Sequence, residues 1–386
     1  MKIEGYRRKD GRLGIRNHVL VLPCSVCASE TARFVSANVP GTIFLPNQGG
    51  CSLSRRDLKT TLETLSGAAA NPNVYGTILI GNGCEVVQAE LLAEEIRKKT
   101  NKELQVFVIR ECGGSIRTVE KASQAAAEMV TRAASVTRTG ADVAELILGT
   151  ECGGSDPTSG LVANPVVGKC SDILIAQGGT AILSETPELI GTEQILSKRC
   201  VTGDVGERLL KMIGDYEADF LNVGENPRYG NPTPGNIAGG ITTLEEKSLG
   251  CIHKGGSSPI TDVIGYGEPV RTRGLVVSDT PGQDIASILG MAASGAQIVV
   301  FTTGHGTPTG SAIVPVIKLT GNAETYRLMQ DNIDFDCSGV LRGEQTMEEA
   351  GQMLFAQVVR TANGEQTKAE RLGFGEVSIA RYCNFA

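Results

Sequence analysis

Thr77-Ile78-Leu79-Ile80-Gly81-Asn82-Gly83-Cys84-Glu85 is an apolar run of strand length that stops abruptly in glycine and cysteine. Residues 86–99 then show helical spacing, and the next apolar run covers 105–110. Strand, tight turn, helix and second strand make the βαβ unit of a parallel sheet, whose strands need a crossover between them. Outward from this stretch the unit recurs: strand 18–22 with helix 28–37, strand 42–45 with helix 55–68, strand 75–80 with helix 86–99, and strand 105–110 with helix 115–136. Short connections and right-handed crossovers place helices on both faces, so residues 1–138 are expected to form a doubly wound, Rossmann-like α/β domain.

Residues 137–144 break the helical period and read as a linker. Residues 139–386 read as a second α/β domain, with strands at 146–148, 180–184, 274–278 and 297–302 and helices near 188–196, 204–222 and 283–293. Long glycine-rich loops interrupt it, above all Asn226–Gly240, which is too long for a simple connector. Near the C-terminus an amphipathic helix is expected over 344–361, with Met347, Ala350, Met353, Leu354 and Val358 on its packing face.

Composition narrows the function. The 386 residues are 41% hydrophobic, which supports a large core, and the net charge of -7 with 4% aromatics and no tryptophan argues against a nucleic-acid surface. No apolar run approaches the roughly 18 residues of a membrane helix, and the N-terminus lacks the apolar stretch of a signal peptide, so a cytoplasmic protein is expected. In reducing cytosol eleven cysteines are poorly explained as disulfides, which directs attention to metal binding or catalysis. Cys170, Cys200, Cys337 and Cys383 read as small buried hydrophobes.

The remaining cysteines other than Cys251 have a pattern: Cys24 and Cys27, Cys51, Cys84, Cys112 and Cys152 each follow an expected strand. All carboxyl ends of a parallel sheet lie along one edge, where ligands bind, so cysteines distant in sequence can gather there. Thiolates suit zinc, iron and iron-sulfur clusters. Glu-Cys-Gly-Gly-Ser occurs twice, at 111–115 and 151–155. The glycines of the second copy can present N–H groups to an anion, and Glu151 and Asp156 offer a base or a metal ligand. His305, in a loop at the end of strand 297–302, can act as general acid/base or as a donor to an anion. Amides, hydroxyls and two lysines between 231 and 258 suit a small, polyhydroxylated anion. Walker A, strand-linked G-x-G-x-x-G and G-x-S-x-G patterns are missing, which leaves nucleotide binding and a serine-hydrolase elbow without support.

Gly11-Arg12-Leu13-Gly14-Ile15-Arg16-Asn17, Gly49-Gly50-Cys51, Gly81–Glu85, Glu151–Asp156, Gly178-Gly179-Thr180, Asn231–Gly240, Glu245–Cys251 and Thr303–Gly310 occur in this order along nearly the whole chain. In these stretches the chain resembles the altronate/galactarate dehydratase family, which also includes sulfolactate sulfo-lyase subunits. The resemblance implies a two-domain α/β lyase that removes a β-substituent from an α-hydroxy carboxylate with Fe(II) or another divalent cation. Full-length members carry a small SAF domain ahead of this body. This chain begins directly with Gly5-Tyr6-Arg7-Arg8, so it is similar to the large subunit of a split form, and a hetero-oligomer with a small SAF-domain subunit is expected.

Cys51, Cys84, Cys152 and Cys251 match family motif positions, which implies that they hold the metal, as one ion or as an iron-sulfur cluster. Glu151, Glu85 and Glu185 are the candidate bases. The amides of Gly153, Gly154 and Ser155 and the ammonium of Lys254 are the expected grip on the substrate carboxylate, with Asn17, Asn236 and Thr307 as further contacts. Some members carry arginine where this chain has His305, which shifts that residue from proton transfer toward anion contact. Dehydration of a sugar acid of the altronate or galactarate type is the leading expectation. Cleavage of sulfolactate to pyruvate and sulfite is the alternative, with Arg16, Lys254 and Arg271 for the sulfonate, and a non-catalytic scaffold or iron-sulfur carrier is the third.

Overall fold

The computed structural model describes residues 1–382, so Cys383 lies outside the described residues. In chain order the strands are β1 (Lys2–Arg7), β2 (Leu13–Gly14), β3 (His18–Pro23), β4 (Thr42–Phe44), β5 (Val74–Gly81), β6 (Glu103–Val108), β7 (Thr139–Asp142), β8 (Ile147–Cys152), β9 (Thr180–Leu183), β10 (Ile260–Ile264), β11 (Gly274–Ser278), β12 (Ile298–Thr302), β13 (Val316–Thr320) and β14 (Phe335–Asp336). Two parallel sheets dominate: a four-stranded one in the order β4-β3-β5-β6, and a seven-stranded one in the order β10-β11-β9-β8-β12-β13-β14.

Alternation along the strands explains why helices cover both faces of the smaller sheet. Leu20, Leu22 and Leu79 pack with Leu65, Leu92 and Ile96, from helices Arg55–Ala70 and Ala89–Lys99. Val19, Val21, Ile78 and Ile80 point the other way, onto helices Val26–Asn38 and Ser115–Ala134. Each fully buried aliphatic side chain contributes roughly 1.5–3 kcal/mol to holding these layers together. In the larger sheet Leu148, Val300, Ile317 and Leu319 face helices Asn164–Ala176 and Met347–Ala362, while Val299, Phe301 and Val316 face the opposite side.

Four local expectations differ from the structure. The strand expected at 105–110 begins earlier and leaves the sheet at Val108, because Glu103 and Leu104 pair with Gly76 and Thr77 and Ile109–Cys112 turns into helix. Part of the expected linker is strand β7, whose backbone groups pair antiparallel with β1, Lys2 facing Asp142. Asn226–Gly240 is not simply loop: Asn226 and Thr233 cap a single turn Pro227–Tyr229 and a short helix Pro234–Ala238, each with proline in its first turn. In the C-terminal helix Ala350, Leu354 and Val358 are buried as expected, but Met353 is exposed.

The two sheets share a core. Ile182, Ile288, Met291, Val299 and Phe301 of one side pack in the same apolar cluster as Leu20, Leu22, Leu65 and Leu79 of the other. Helix Arg55–Ala70 lies so close to helix Asp284–Ser294 that a Cβ on Gly67 would sit 2.6 Å from the Ala293 carbonyl oxygen. The Asn71-Pro72-Asn73 turn adds buried hydrogen bonds: Asn71 Nδ2 donates to the carbonyls of Ala292 and Ala296, and Asn73 Nδ2 to those of Gln297 and Ile313.

Candidate active site

In the larger sheet β8 is central, with β9 to β11 on one side and β12 to β14 on the other. The order of strands reverses there, and the crevice beyond the carboxyl ends at such a reversal is where open α/β sheets bind ligands. Cys152 closes β8 in register with Thr302 of β12, and Ser184-Glu185 directly follows β9. Glu185 has φ +71°, a left-handed conformation that a non-glycine residue adopts only under constraint. Its amide donates to Thr280 Oγ1 at 2.7 Å.

These strand ends bring together a buried cluster of charge. The Cys152 amide donates to Glu185 Oε2 at 3.0 Å, and the buried Lys254 ammonium bonds Glu185 and lies 3.0 Å from Cys152 Sγ. Cys152 Sγ is 3.4 Å from Cys251 Sγ, and the Cys251 thiol is 2.5 Å from Glu188 Oε2. Lys247 Nζ pairs with Glu188 Oε1 at 2.5 Å and donates to Asn231 Oδ1 at 2.9 Å. Glu151 takes hydrogen bonds from Ser184 Oγ and Ser287 Oγ through one oxygen, and its other oxygen, Oε1, is buried without a partner.

Electrostatics follow from this packing. Burial, reinforced by the charge of Glu185, pushes the Glu151 carboxyl well above the usual carboxylate range and so favours its protonated form. Burial acts the same way on Glu188, but the ammoniums of Lys247 and Lys254 more than offset it and hold that carboxylate low. Burial opposes the charge of Lys254, and the neighbouring Cys152 and Glu185 more than compensate, so its pKa is raised. The Cys152 thiol is pushed up by its hydrogen bond with Cys251 and then by burial. Asp284, at the start of the helix behind Ser287, is pushed to about 7, first by burial and then by Glu185.

Cys152, Glu188 and Cys251 present donor atoms within 4.8 Å of one another, which among the described residues makes them the group arranged to hold a metal ion. Two sulfurs and a carboxylate fit a borderline-soft divalent ion such as zinc or ferrous iron. Cys51 and Cys84, expected in the same site, are not part of this group. They follow strands of the other sheet and sit at its carboxyl edge. Glu85 is there too, its carboxylate accepting the amides of Asn82, Gly83 and Cys84 at 2.8, 2.7 and 3.0 Å, so it shapes the turn that carries Cys84.

The expected substrate contacts divide similarly. Gly153 and Gly154 lie at the crevice, but their amides are already engaged, donating to the Thr302 carbonyl at 2.9 Å and to Thr307 Oγ1 at 3.2 Å. These glycines serve close approach: a Cβ at Gly153 would meet the Phe301 ring at 2.5 Å, and one at Gly154 would meet His305. Ser155 and Asn236 are joined, Asn236 Nδ2 donating to the Ser155 carbonyl at 2.9 Å. His305 is exposed beside them, its amide bonded to the Gly154 carbonyl. Asn17 lies elsewhere, just before the amino end of β3, held by Arg8 and the Ala133 carbonyl. Arg16 is spent on Glu370 and on the carbonyls of Thr361 and Glu365, which removes it from any sulfonate site.

Sequence reasoning missed Glu188 and took Lys247 only as one of the two lysines suited to an anion, not as the partner of a buried carboxylate. The available signal was helical spacing, since Lys247 precedes Cys251 by one turn of helix Leu244–Cys251 and Glu188 follows Glu185 within the turn Thr186–Leu189. A cavity of about 960 Å³ lies nearby, lined by Gly49, Arg56, Lys211, Thr280 and Arg381 among others. Thr280 joins it to the cluster, because its hydroxyl meets the Glu185 amide and Ser287 Oγ.

No helix among the described residues is long and apolar enough to cross a membrane. Residues 5–134 match the family described as D-galactarate dehydratase/Altronate hydrolase, second domain, and residues 143–384 match D-galactarate/Altronate dehydratase, C-terminal. The chain is 41% identical over 379 residues to (2R)-sulfolactate sulfo-lyase subunit beta of Chromohalobacter salexigens, covering 98% of this chain and 96% of that one. It is 36% identical over 387 residues to altronate dehydratase of Bacillus subtilis, covering 97% and 77%, and 33% identical over 383 residues to galactarate dehydratase (L-threo-forming) of Escherichia coli, covering 94% and 73%. With both of its large parts matched in order, and with relatives of this identity over nearly its whole length, the chain belongs to the galactarate/altronate dehydratase family of lyases, together with its sulfo-lyase relative.

Proposed function

We propose that this chain catalyses β-elimination from a small α-hydroxy carboxylate, and that its reaction is the cleavage of sulfolactate to pyruvate and sulfite. The observation that carries the reaction class is the buried cluster of Glu151, Glu185, Lys254, Cys152, Glu188 and Cys251 at the strand reversal. The identity of 41% to a sulfo-lyase subunit favours sulfite as leaving group over the hydroxide of the sugar-acid dehydratases, which stand at 36% and 33%. The initial preference for dehydration therefore becomes the second reading, supported by the family descriptions themselves.

Either reaction removes the proton on the carbon bearing the hydroxyl, expels the β-substituent and leaves an enol that becomes the keto acid. Glu185, fixed in one orientation by Lys254 and the Cys152 amide, is the candidate to accept that proton. The fixed ammonium of Lys254 would balance negative charge as it develops, without reorganisation. Glu151, whose burial favours the protonated carboxyl, is the candidate to return a proton at Oε1, the oxygen left without a partner. A divalent ion held by Cys152, Glu188 and Cys251 would add Lewis-acid polarisation of a substrate oxygen. His305 and Asn236 remain candidate contacts at the mouth. A partner subunit fits this reading, since the sulfo-lyase relative is itself named a subunit beta.

The test is an anaerobic assay of the chain with its co-purifying partner and Fe(II) on sulfolactate, altronate and galactarate side by side. Sulfite and pyruvate from sulfolactate alone are expected. A keto acid from a sugar acid without sulfite would replace this reading by the dehydratase.

A further inference from the structure

The smaller sheet has a strand reversal of its own, with β3 between β4 and β5, and three cysteine-bearing loops leave its carboxyl edge there. Backbone bonds lock these loops to each other: the Val26 amide donates to the Gly49 carbonyl at 2.8 Å, and the Val87 amide to the Gly50 carbonyl at 3.0 Å. Gly50 has φ +89°, and a Cβ there would lie 2.2 Å from the Cys24 carbonyl oxygen, so the loops touch through backbone. Cys27, Cys51 and Cys84 are thereby neighbours. The Cys51 thiol is pushed up first by burial, is eased back by the nearby Val86 amide, and feels both of the other thiols. Cys84 Sγ accepts a hydrogen bond from Asn82 Nδ2 at 3.1 Å. Amide donors aimed at sulfur are the means by which proteins stabilise thiolate ligands. Between the loops Ser25 is fully buried, and its hydroxyl has no partner.

Spacing and exposure select the ligand. Tetrahedral zinc would draw its sulfurs to about 3.8 Å from one another, given a Zn–S bond of about 2.3 Å. Among the described residues the group of three donors gathered within 4.8 Å is the buried one of Cys152, and Cys27, Cys51 and Cys84 are spread more widely. Cys27 and Cys84 are exposed and Cys51 half-buried, so the site opens outward.

We propose that Cys27, Cys51 and Cys84 hold a cubane iron-sulfur cluster at the carboxyl edge of the four-stranded sheet, with one iron carrying no cysteine. Three thiolates and a free coordination position make such a cluster able to bind a small oxygen ligand. Gly49, two residues before Cys51, lines the cavity whose wall at Thr280 touches Glu185. This site is separate from the buried thiol–carboxylate group and stands whether or not sulfolactate is the substrate.

The experiment is anaerobic reconstitution of the full chain with ferrous and ferric iron in equal amounts and sulfide, so that the core assembles at its +2 charge without an added oxidant while the thiols release their protons. Bound iron and acid-labile sulfide of about four each per chain are expected, with sulfide-to-iron absorption in the visible and a paramagnetic signal after one-electron reduction. Cys27→Ser, Cys51→Ser and Cys84→Ser each lose most of the iron, sulfide and absorption, whereas Cys152→Ser and Cys251→Ser keep them. Cys84 is exposed, so Cys84→Ser keeps the fold, which circular dichroism checks. Iron and sulfide unchanged in Cys84→Ser and Cys51→Ser, or lost instead with Cys152, overturn the proposal, as does wild-type chain that takes up no sulfide. None of these readouts depends on turnover, so failure of the substrate assay leaves the cluster result intact.

Discussion

Lys254 shows how much one residue holds. It is among the largest fully buried side chains, and its ammonium balances Glu185 and touches Cys152. Removing one partner of a buried pair leaves an uncompensated charge, so Lys254→Met is expected to cost about 3–5 kcal/mol of stability and to abolish turnover. Adding Glu185→Gln should restore most of the stability and none of the activity. Thermal unfolding and product assays on the single and double variants check this, and recovered turnover in the double variant would remove both residues from the chemistry. Lys254 was legible in the sequence only as a cation near a substrate. That it lies between a carboxylate and a thiol depends on Cys152 and Glu185 arriving from two other strands.

Elements decide what the same residues become. Glu-Cys-Gly-Gly-Ser at 111–115 ends one helical turn, with Gly113 and Gly114 at positive φ, and opens helix Ser115–Ala134 on an exposed edge. The identical peptide at 151–155 completes a buried strand, where Gly153 gives way to the Phe301 ring. The two copies differ because β8 has neighbours on both sides while Ile109–Cys112 has left the sheet. Packing of elements also explains Gly67, whose missing Cβ lets helix Arg55–Ala70 meet helix Asp284–Ser294. Gly67→Val is expected to destabilise by about 1–3 kcal/mol through overpacking, more than helix propensity alone would return. Denaturant unfolding measures it, and an unchanged midpoint would mean that the helices separate freely.

At the scale of the whole molecule the two sheets are joined by one apolar cluster and by the buried amides of Asn71 and Asn73. Neither sheet can expose its share of that cluster cheaply, so heat or denaturant should unfold the chain in a single transition. Coincident curves from calorimetry and circular dichroism are expected. Two resolved transitions would show instead that the halves are independent, with the cavity at Thr280 and Gly49 a seam between them. The joined architecture also puts Gly49, from the loop that carries Cys51, and Thr280, whose hydroxyl meets the Glu185 amide, on the wall of one cavity.

The sequence by itself determined the alternating α/β order, the parallel sheets and the placing of Cys27, Cys51, Cys84 and Cys152 after strands, because period, turn chemistry and strand length are local properties of the chain. Family membership was legible as well, through motifs spread along nearly all of it. Only the tertiary structure decided which of those cysteines meet. Cys152 finds Cys251, 99 residues away, and Glu188 with Lys247 completes their surroundings, while Cys51 and Cys84 stay with the other sheet. That choice follows from strand order and register, which depend on how whole layers bury their apolar faces and leave no mark in the spacing of the residues themselves.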